Sequence, residues 1–164
     1  MPNTIMPIER GTAFIRAWAE HEWPIGREQA LALRDQIGWV AAEDDEEIFT
    51  TNVGLVPGEG DLNFSQGALY QVNFELSSTD FDGPDVRAAA QEAFTQYVDA
   101  LTQVWGTPEQ FTDRGVRTAD WTTPNGSRAT IRHLNRILSA YVESPEWQVT
   151  KAMARLDEIE TGDA

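Results

Sequence analysis

The sequence predicts an α+β fold, with helices packed on one face of a mostly antiparallel sheet of about six to seven strands. Two patterns predict this class. Segments with helical periodicity lie near both ends and in the middle of the chain, and strand-like segments follow one another across tight turns between them. The resulting order is ααββββαβββα. With 164 residues, 41% of them apolar, the chain is long enough to bury one core, so residues 1–164 are predicted to form a single domain.

A helical hairpin is predicted over residues 9–37. Its first helix carries large apolar side chains at helical spacing as far as Trp18, and it should end before the Trp23–Pro24 step. A residue that precedes proline disfavours the α conformation, which is why the break is expected there. The second helix has its own apolar stripe, and Gly38 is well placed as its C-terminal cap.

Four strands are predicted within residues 39–76, at 39–42, 47–53, 61–64 and 68–76. The last of them alternates in polarity, which predicts one buried face and one wet face. The wet face would carry Gln71, Asn73 and Glu75. The buried face would consist of Ala68, Tyr70, Val72, Phe74 and Leu76.

The longest helix is predicted at 85–105, where apolar residues recur at i, i+3 and i+4 and a proline and a glycine flank the segment. Three strands should follow within 117–142, the first two joined by a hairpin at Pro124–Asn125–Gly126. A C-terminal helix is predicted at 145–160. Its apolar face would be formed by Trp147, Val149, Met153, Leu156 and Ile159.

Charge and cysteine content exclude several classes of function. The chain has 12 basic and 27 acidic residues, a net charge of −15, so nucleic acid and anionic membranes are unfavourable partners. It has no cysteine, which excludes disulfides, thiolate metal sites and a cysteine nucleophile. Neither a signal peptide nor an apolar stretch of about 20 residues is present, so a cytoplasmic location is expected.

The acidic charge is concentrated in residues 43–86, which contain 11 carboxylates and no lysine or arginine. Two main interpretations stay open: a solvated sheet edge whose charges deter edge-to-edge pairing, and a docking surface for a basic protein. Weak cation binding is a minor third. The candidate partner-binding residues are Glu43, Asp44, Asp45, Glu46, Glu47, Glu59, Asp61, Asp80 and Asp82.

Motifs for catalysis, metals and cofactors are not evident, so we expect no catalytic residues, no metal site and no cofactor. The acidic runs lack the ligand spacing of an EF-hand, and no Gly-x-Ser-x-Gly elbow is present. The glycine-rich segment 54–60 has no lysine and contains a carboxylate, so it is interpreted as a flexible turn and not as a phosphate loop.

Two further features are candidate interaction surfaces. Arg128, Thr130 and Arg132 should share one side of their strand, and pairing with acidic neighbours is favoured there over a dedicated basic site. Trp23 and Trp121 are candidates for exposed interface anchors, although a core position is the favoured interpretation for most of the six tryptophans.

Several motifs carry a resemblance: His-Glu-Trp-Pro at 21–24, Ile-Gly-Trp at 37–39, the Phe-to-Trp-Gly helix at 94–106 and Trp-x-x-Pro-Asn-Gly at 121–126. They resemble a family of actinobacterial domains of unknown function. The architecture is more loosely similar to the immunity proteins of polymorphic-toxin systems, such as the immunity factor of the tuberculosis necrotizing toxin. The resemblance implies a cytoplasmic, acidic protein that covers the active site of a toxin.

These observations together predict a non-enzymatic binding protein, most specifically an immunity protein that sequesters a basic toxin domain through an acidic surface. The alternative is a secretion or assembly chaperone, because the order of elements is also similar to that of type III secretion chaperone-like domains. Such a chaperone would use an exposed apolar surface in place of a charged one.

Overall fold

The computed structural model describes residues 4–53 and 59–161, with side chains described as far as residue 157. The helices are α1 (Ile8–Ala19), α2 (Arg27–Gln36), α3 (Pro84–Trp105) and α4 (Pro145–Thr161). The strands are β1 (Val40–Ala41), β2 (Ile48–Thr50), β3 (Glu59–Ser65), β4 (Ala68–Glu75), β5 (Glu109–Asp113), β6 (Val116–Thr122), β7 (Arg128–Leu134) and β8 (Ile137–Glu143). The strands form one antiparallel sheet in the order β1-β2-β3-β4-β8-β7-β6-β5.

The predicted α+β class and the antiparallel sheet are confirmed, with eight strands in place of the predicted six to seven. The strand that sequence reasoning missed is β5. All five of its residues are exposed, so it shows no alternation between buried and exposed positions. It forms because a two-residue turn, Arg114–Gly115, with φ of 51° and 81°, folds it back onto β6.

One face of the sheet is covered by α1 and α3, and the core lies between these helices and the sheet. At one end of this core, Trp39 is 2% exposed and lies at the centre of an aromatic cluster. Its ring stacks on Phe49 at 4.2 Å between centroids, and those of Phe14, Trp18 and Phe74 lie 5.2, 5.7 and 5.1 Å away. Aromatic contacts of this kind add to the free energy gained from burial, so the cluster ties α1 to β2 and β4.

The strand β4 departs from simple alternation. Asn63 pairs with Gln71 and Phe64 pairs with Leu69, so Tyr70 is an extra residue at a β-bulge. The bulge makes the prediction for this end of the strand wrong: Leu69 is buried in the core at 2% exposure, whereas Tyr70 lies half-buried against the Trp147 ring of α4. Beyond the bulge, the predicted alternation holds.

The β6–β7 hairpin caps the C-terminal end of α1. The Asn125 side chain donates hydrogen bonds of 2.9 Å to the carbonyl oxygens of Ala19 and His21. The buried Ser127 hydroxyl donates a second hydrogen bond to Ala19, at 2.7 Å. Carbonyl groups at a helix end have no partner within the helix, so this hairpin satisfies them and joins the first helix to the sheet.

The helices α1 and α3 approach each other closely at Tyr97, which is fully buried. Its hydroxyl donates a 2.8 Å hydrogen bond to the carbonyl oxygen of Met6, and burial raises the pKa of Tyr97. Gly11 faces the Tyr97 ring, and a Cβ atom at Gly11 would lie 2.6 Å from Tyr97 Cε1. The contact therefore requires a residue without a side chain at this position.

Residues 54–58 lie outside the described part of the chain, so the predicted turn at 54–60 falls largely there. Across residues 4–53 and 59–161, no helix combines the length and the apolar composition that a membrane span requires.

We expect Gly11→Ala to lower the free energy of unfolding by about 1–3 kcal/mol, because the added methyl group overpacks the α1–α3 contact. Gly26→Ala is the matched control, since its new Cβ would meet only Gln29 Oε1, at 3.8 Å. Urea denaturation of both variants measures the difference. Equal stability of the two variants would contradict the close approach.

Candidate functional site

The face of the sheet opposite α1 and α3 carries mostly polar side chains and is the candidate site. We call it the open face. A continuous row of paired residues crosses it from β2 to β5: Ile48, Asp61, Asn73, Tyr141, Thr130, Asp120 and Glu109. The neighbouring row runs from β4 to β5: Glu75, Ser139, Arg132, Thr118 and Phe111.

A depression of about 340 Å³ lies on the open face where these two rows cross β3, β4, β8 and β7. Three carboxylates from β3 and β4 line one side of it: Glu59, Asp61 and Glu75. Arg132 and Tyr141, from β7 and β8, line the other side. We call this the acidic depression, because its carboxylates outnumber its one guanidinium group.

Amide donors hold the Asp61 carboxylate in place. Its Oδ1 atom accepts hydrogen bonds of 2.9 Å from the side-chain amides of Asn63 and Asn73. Asn63 lies two residues along β3, and Asn73 is the cross-strand partner of Asp61 on β4. Neutral donors orient the carboxylate and leave its charge uncompensated.

Glu75 is the least well solvated carboxylate of the depression. Burial raises its pKa above the ordinary range, and the negative charges of Glu59 and Asp80 act in the same direction. A hydrogen bond from the backbone N–H of Glu59 acts in the opposite direction. Within the described residues, the buried Oε2 atom of Glu75 has no hydrogen-bond partner. A cation that enters the depression would therefore meet a carboxylate that is already partly desolvated.

The acidic loop between β1 and β2 has a structural function that the sequence did not indicate. Arg27 of α2 donates hydrogen bonds to Glu46 and Glu47, at 2.7 and 2.6 Å. The buried Arg34 donates to the backbone carbonyl of Glu46 at 2.7 Å, and Asp45 accepts a hydrogen bond from the backbone N–H of Glu47. Part of this loop therefore fastens α2 to the sheet.

The nine predicted partner-binding residues are thus divided between three environments. Asp82 is paired with Arg87 at 3.1 Å and Arg136 at 3.8 Å, and the hydrogen bond from Arg87 is the main reason that its pKa is lowered. Glu46 and Glu47 are paired with Arg27, as above. Glu59 and Asp61 lie in the acidic depression. All nine residues are exposed except Glu47, which is half-buried.

Sequence reasoning did not include Glu75, Arg132 and Tyr141 in the candidate site. The alternation of apolar and polar residues along β4 predicted that Glu75 lies on the solvent-facing side of the sheet, and this was the signal that could have identified it. What could not be anticipated is that β4 pairs with β8, because these strands are separated in the sequence by α3 and three other strands. That pairing brings Glu75 beside Ser139 and the β7 residue Arg132.

The two arginine side chains that β7 places on the open face differ in their ion pairing. Arg128 is paired with Asp120 at 2.7 Å and with Glu109 at 3.2 Å, as expected for pairing with acidic neighbours. Arg132, on the same side of β7, is exposed and has no ion pair among the described residues. The basic charge near the acidic depression is therefore confined to one guanidinium group.

Two expectations about large apolar side chains are corrected. Trp121 is 2% exposed and donates its indole N–H to the carbonyl oxygen of Gly106, so it is a core residue and not an exposed anchor. Trp23 is partly buried against the core. On α4, the apolar side chains of Val149, Met153 and Leu156 are exposed in the structure, whereas the sequence suggested a packed face.

In the part of the chain that the structure describes, no group of three or more His, Asp or Glu side chains is arranged to hold a metal ion.

Comparison with known proteins identifies a family. Residues 9–144 match the model of a family of unknown function, DUF6301. The chain belongs to this family. The DUF6301 match runs from the second residue of α1 past the end of β8 and therefore includes the whole open face, whereas α4 lies beyond it. Searches of curated proteins and of solved structures found no match.

We expect Glu75→Gln to raise the free energy of unfolding at neutral pH. The pKa of Glu75 is raised in the folded state, so between the unfolded and folded pKa values the folded protein holds more protons and stability falls as pH rises. Above both pKa values, the charged carboxylate lowers the stability of the folded wild-type protein to the full extent. Below both pKa values, residue 75 is uncharged in the wild type and in the variant, so the variant is no longer more stable.

Denaturant unfolding at neutral and at acidic pH measures this difference. Glu92→Gln, on the exposed side of α3, is the matched control and should change stability little at either pH. A gain for Glu75→Gln that is independent of pH would contradict the account of this carboxylate.

Proposed function

We propose that this DUF6301 protein is a non-enzymatic binding protein, and most specifically an immunity protein that sequesters and occludes a basic toxin domain in the cytoplasm. The proposal needs no cofactor, nucleic acid or membrane. The observation that carries it is the acidic depression, in which three carboxylates from adjacent strands line a concave surface on the sheet face opposite α1 and α3.

Charge supports this function at two ranges. At long range, a net charge of −15 attracts a basic protein and accelerates its association. At short range, Glu59, Asp61 and Glu75 present charges that neutral hydrogen bonds do not neutralise. A lysine or arginine side chain of the partner would supply these carboxylates with the positive counter-charge that no ion pair among the described residues provides.

The loop between β1 and β2 contributes to the proposal through its exposed tip. Glu43 and Asp44 are exposed, and no ion pair reaches them from the described residues. Because Glu46 and Glu47 already bind Arg27, we assign them to holding α2 and place the contact with the partner at the tip of the loop and in the depression.

A specific observation favours the chaperone alternative. Val149, Met153 and Leu156 lie on α4 at helical spacing and are 63%, 58% and 54% exposed. Exposed apolar patches mark interaction surfaces, and a chaperone would use such a surface to bind an unfolded segment. Binding through α4 would be insensitive to salt, whereas binding through the acidic depression would weaken as salt rises.

The test begins with capture of partners from a lysate of the source organism at low and high salt, followed by binding measurements on the purified partner. We expect the variant Glu59→Gln/Asp61→Asn/Glu75→Gln to associate about tenfold more slowly at low salt. The matched control removes the same three charges from exposed positions elsewhere, as Glu22→Gln/Glu92→Gln/Asp99→Asn.

The outcomes separate the alternatives. A single stoichiometric partner that is an enzyme, inactive until it is released, is expected for an immunity protein. Several unrelated secreted proteins, bound equally by the depression variant and by wild type, would show a chaperone. If the depression variant and the control lose affinity equally, the acidic depression is not the binding surface.

A further inference from the structure

We propose that the free edge of β5 accepts an extended segment of another protein as an added strand, and that this segment has a β-branched or aromatic residue flanked by lysine or arginine two positions away on each side. This interaction is separate from the proposed function. It involves the opposite end of the sheet, five strand spacings, or roughly 24 Å, from β3.

The two edge strands of the sheet differ in the length of backbone that they expose. At one end, β1 has two residues, Val40–Ala41, which is too short to pair with more than a fragment of strand. At the other end, β5 has five residues, Glu109–Asp113, and every one of them is exposed. A strand edge of this kind presents backbone groups that another chain can bind.

The turn between β5 and β6 determines which backbone groups of β5 point outward. A two-residue turn with positive φ at both positions closes on a pair that exchanges two hydrogen bonds, and here that pair is Asp113 and Val116. Hydrogen-bonded pairs alternate along an antiparallel ladder, so Phe111 and Glu109 also bond to β6. The N–H and C=O groups of Gln110 and Thr112 therefore point away from the sheet.

The side chains of β5 specify the added strand. Glu109, Phe111 and Asp113 lie on one side of β5, with Phe111 53% exposed between two carboxylates. Glu109 forms an ion pair with Arg128, but its side chain is still 79% exposed and open to a second cation. Directly opposed residues on neighbouring strands interact most strongly, so the incoming strand should place an apolar residue opposite Phe111 and a cation opposite each carboxylate. This pattern reads the same in both directions, so it applies to a parallel or an antiparallel strand.

A second copy of this chain does not fit the edge. Antiparallel pairing of two β5 strands centred on Phe111 would place Glu109 opposite Asp113 twice, and parallel pairing would place each carboxylate opposite its own copy. Like charges in these positions destabilise a strand pair, and each chain carries a net charge of −15. The charges that exclude a copy favour a basic segment.

The test uses two synthetic peptides, TKTVTKT and its acidic counterpart TETVTET, and measures amide hydrogen exchange of the protein. We expect the lysine peptide to slow exchange at Gln110 and Thr112 and the glutamate peptide to leave it unchanged. Thr112→Pro removes an outward N–H without breaking the ladder to β6, and should weaken peptide binding about tenfold, as expected for a lost backbone hydrogen bond.

A second variant tests the charge pattern without changing the backbone. Glu109→Lys/Asp113→Lys should reverse the preference, so that TETVTET binds and TKTVTKT does not. The proposal is overturned if millimolar lysine peptide protects neither amide, if protection appears at other strands, or if Thr112→Pro, folded by circular dichroism, binds as well as wild type. It is also overturned if both amides are already protected in a manner that depends on protein concentration, because a second copy would then occupy the edge.

Discussion

Burial of one face of the antiparallel sheet beneath α1 and α3 is the constraint on which the rest of the structure depends. Because successive side chains of a strand point to opposite faces, burying Phe74 and Leu138 in the core forces Glu75 and Ser139 onto the open face. The fixed approach of Tyr97 to Gly11 holds the helices on their side of the sheet. The open face is therefore a consequence of how the core is packed.

Strand register then determines which charges meet. Asp61, Asn73 and Tyr141 come from three different strands and are aligned in one row across the sheet. Ion pairs neutralise Arg128 at one end of the open face and Arg27 beside the acidic loop. The carboxylates that β3 and β4 contribute to the acidic depression have no ion pair among the described residues, and Asp61 accepts hydrogen bonds from neutral amides only. The uneven neutralisation of charge, more than its total, concentrates uncompensated acidic charge on one part of the open face, and the proposed function assigns this part to a basic partner.

The elements with strong local signals could be predicted from the sequence. Periodicity and flanking proline and glycine placed α3 within one residue of its observed start, and Asn125 marked the β6–β7 hairpin. Features that depend on pairing between distant segments could not be predicted. β5 has no buried residue and exists through its pairing with β6, and the bulge at Tyr70 arises from the β3–β4 register. The acidic depression requires β4 to lie beside β8, which no local pattern encodes.

The measurement that tests the central claim most directly is carbodiimide labelling of carboxyl groups in the free protein and in its complex with a captured partner, read by mass spectrometry. The account predicts that the partner protects Glu59, Asp61 and Glu75 from labelling and leaves Glu92 and Asp99 on α3 as reactive as in the free protein. Protection of the two α3 carboxyl groups, with the three in the acidic depression still reactive, would contradict it.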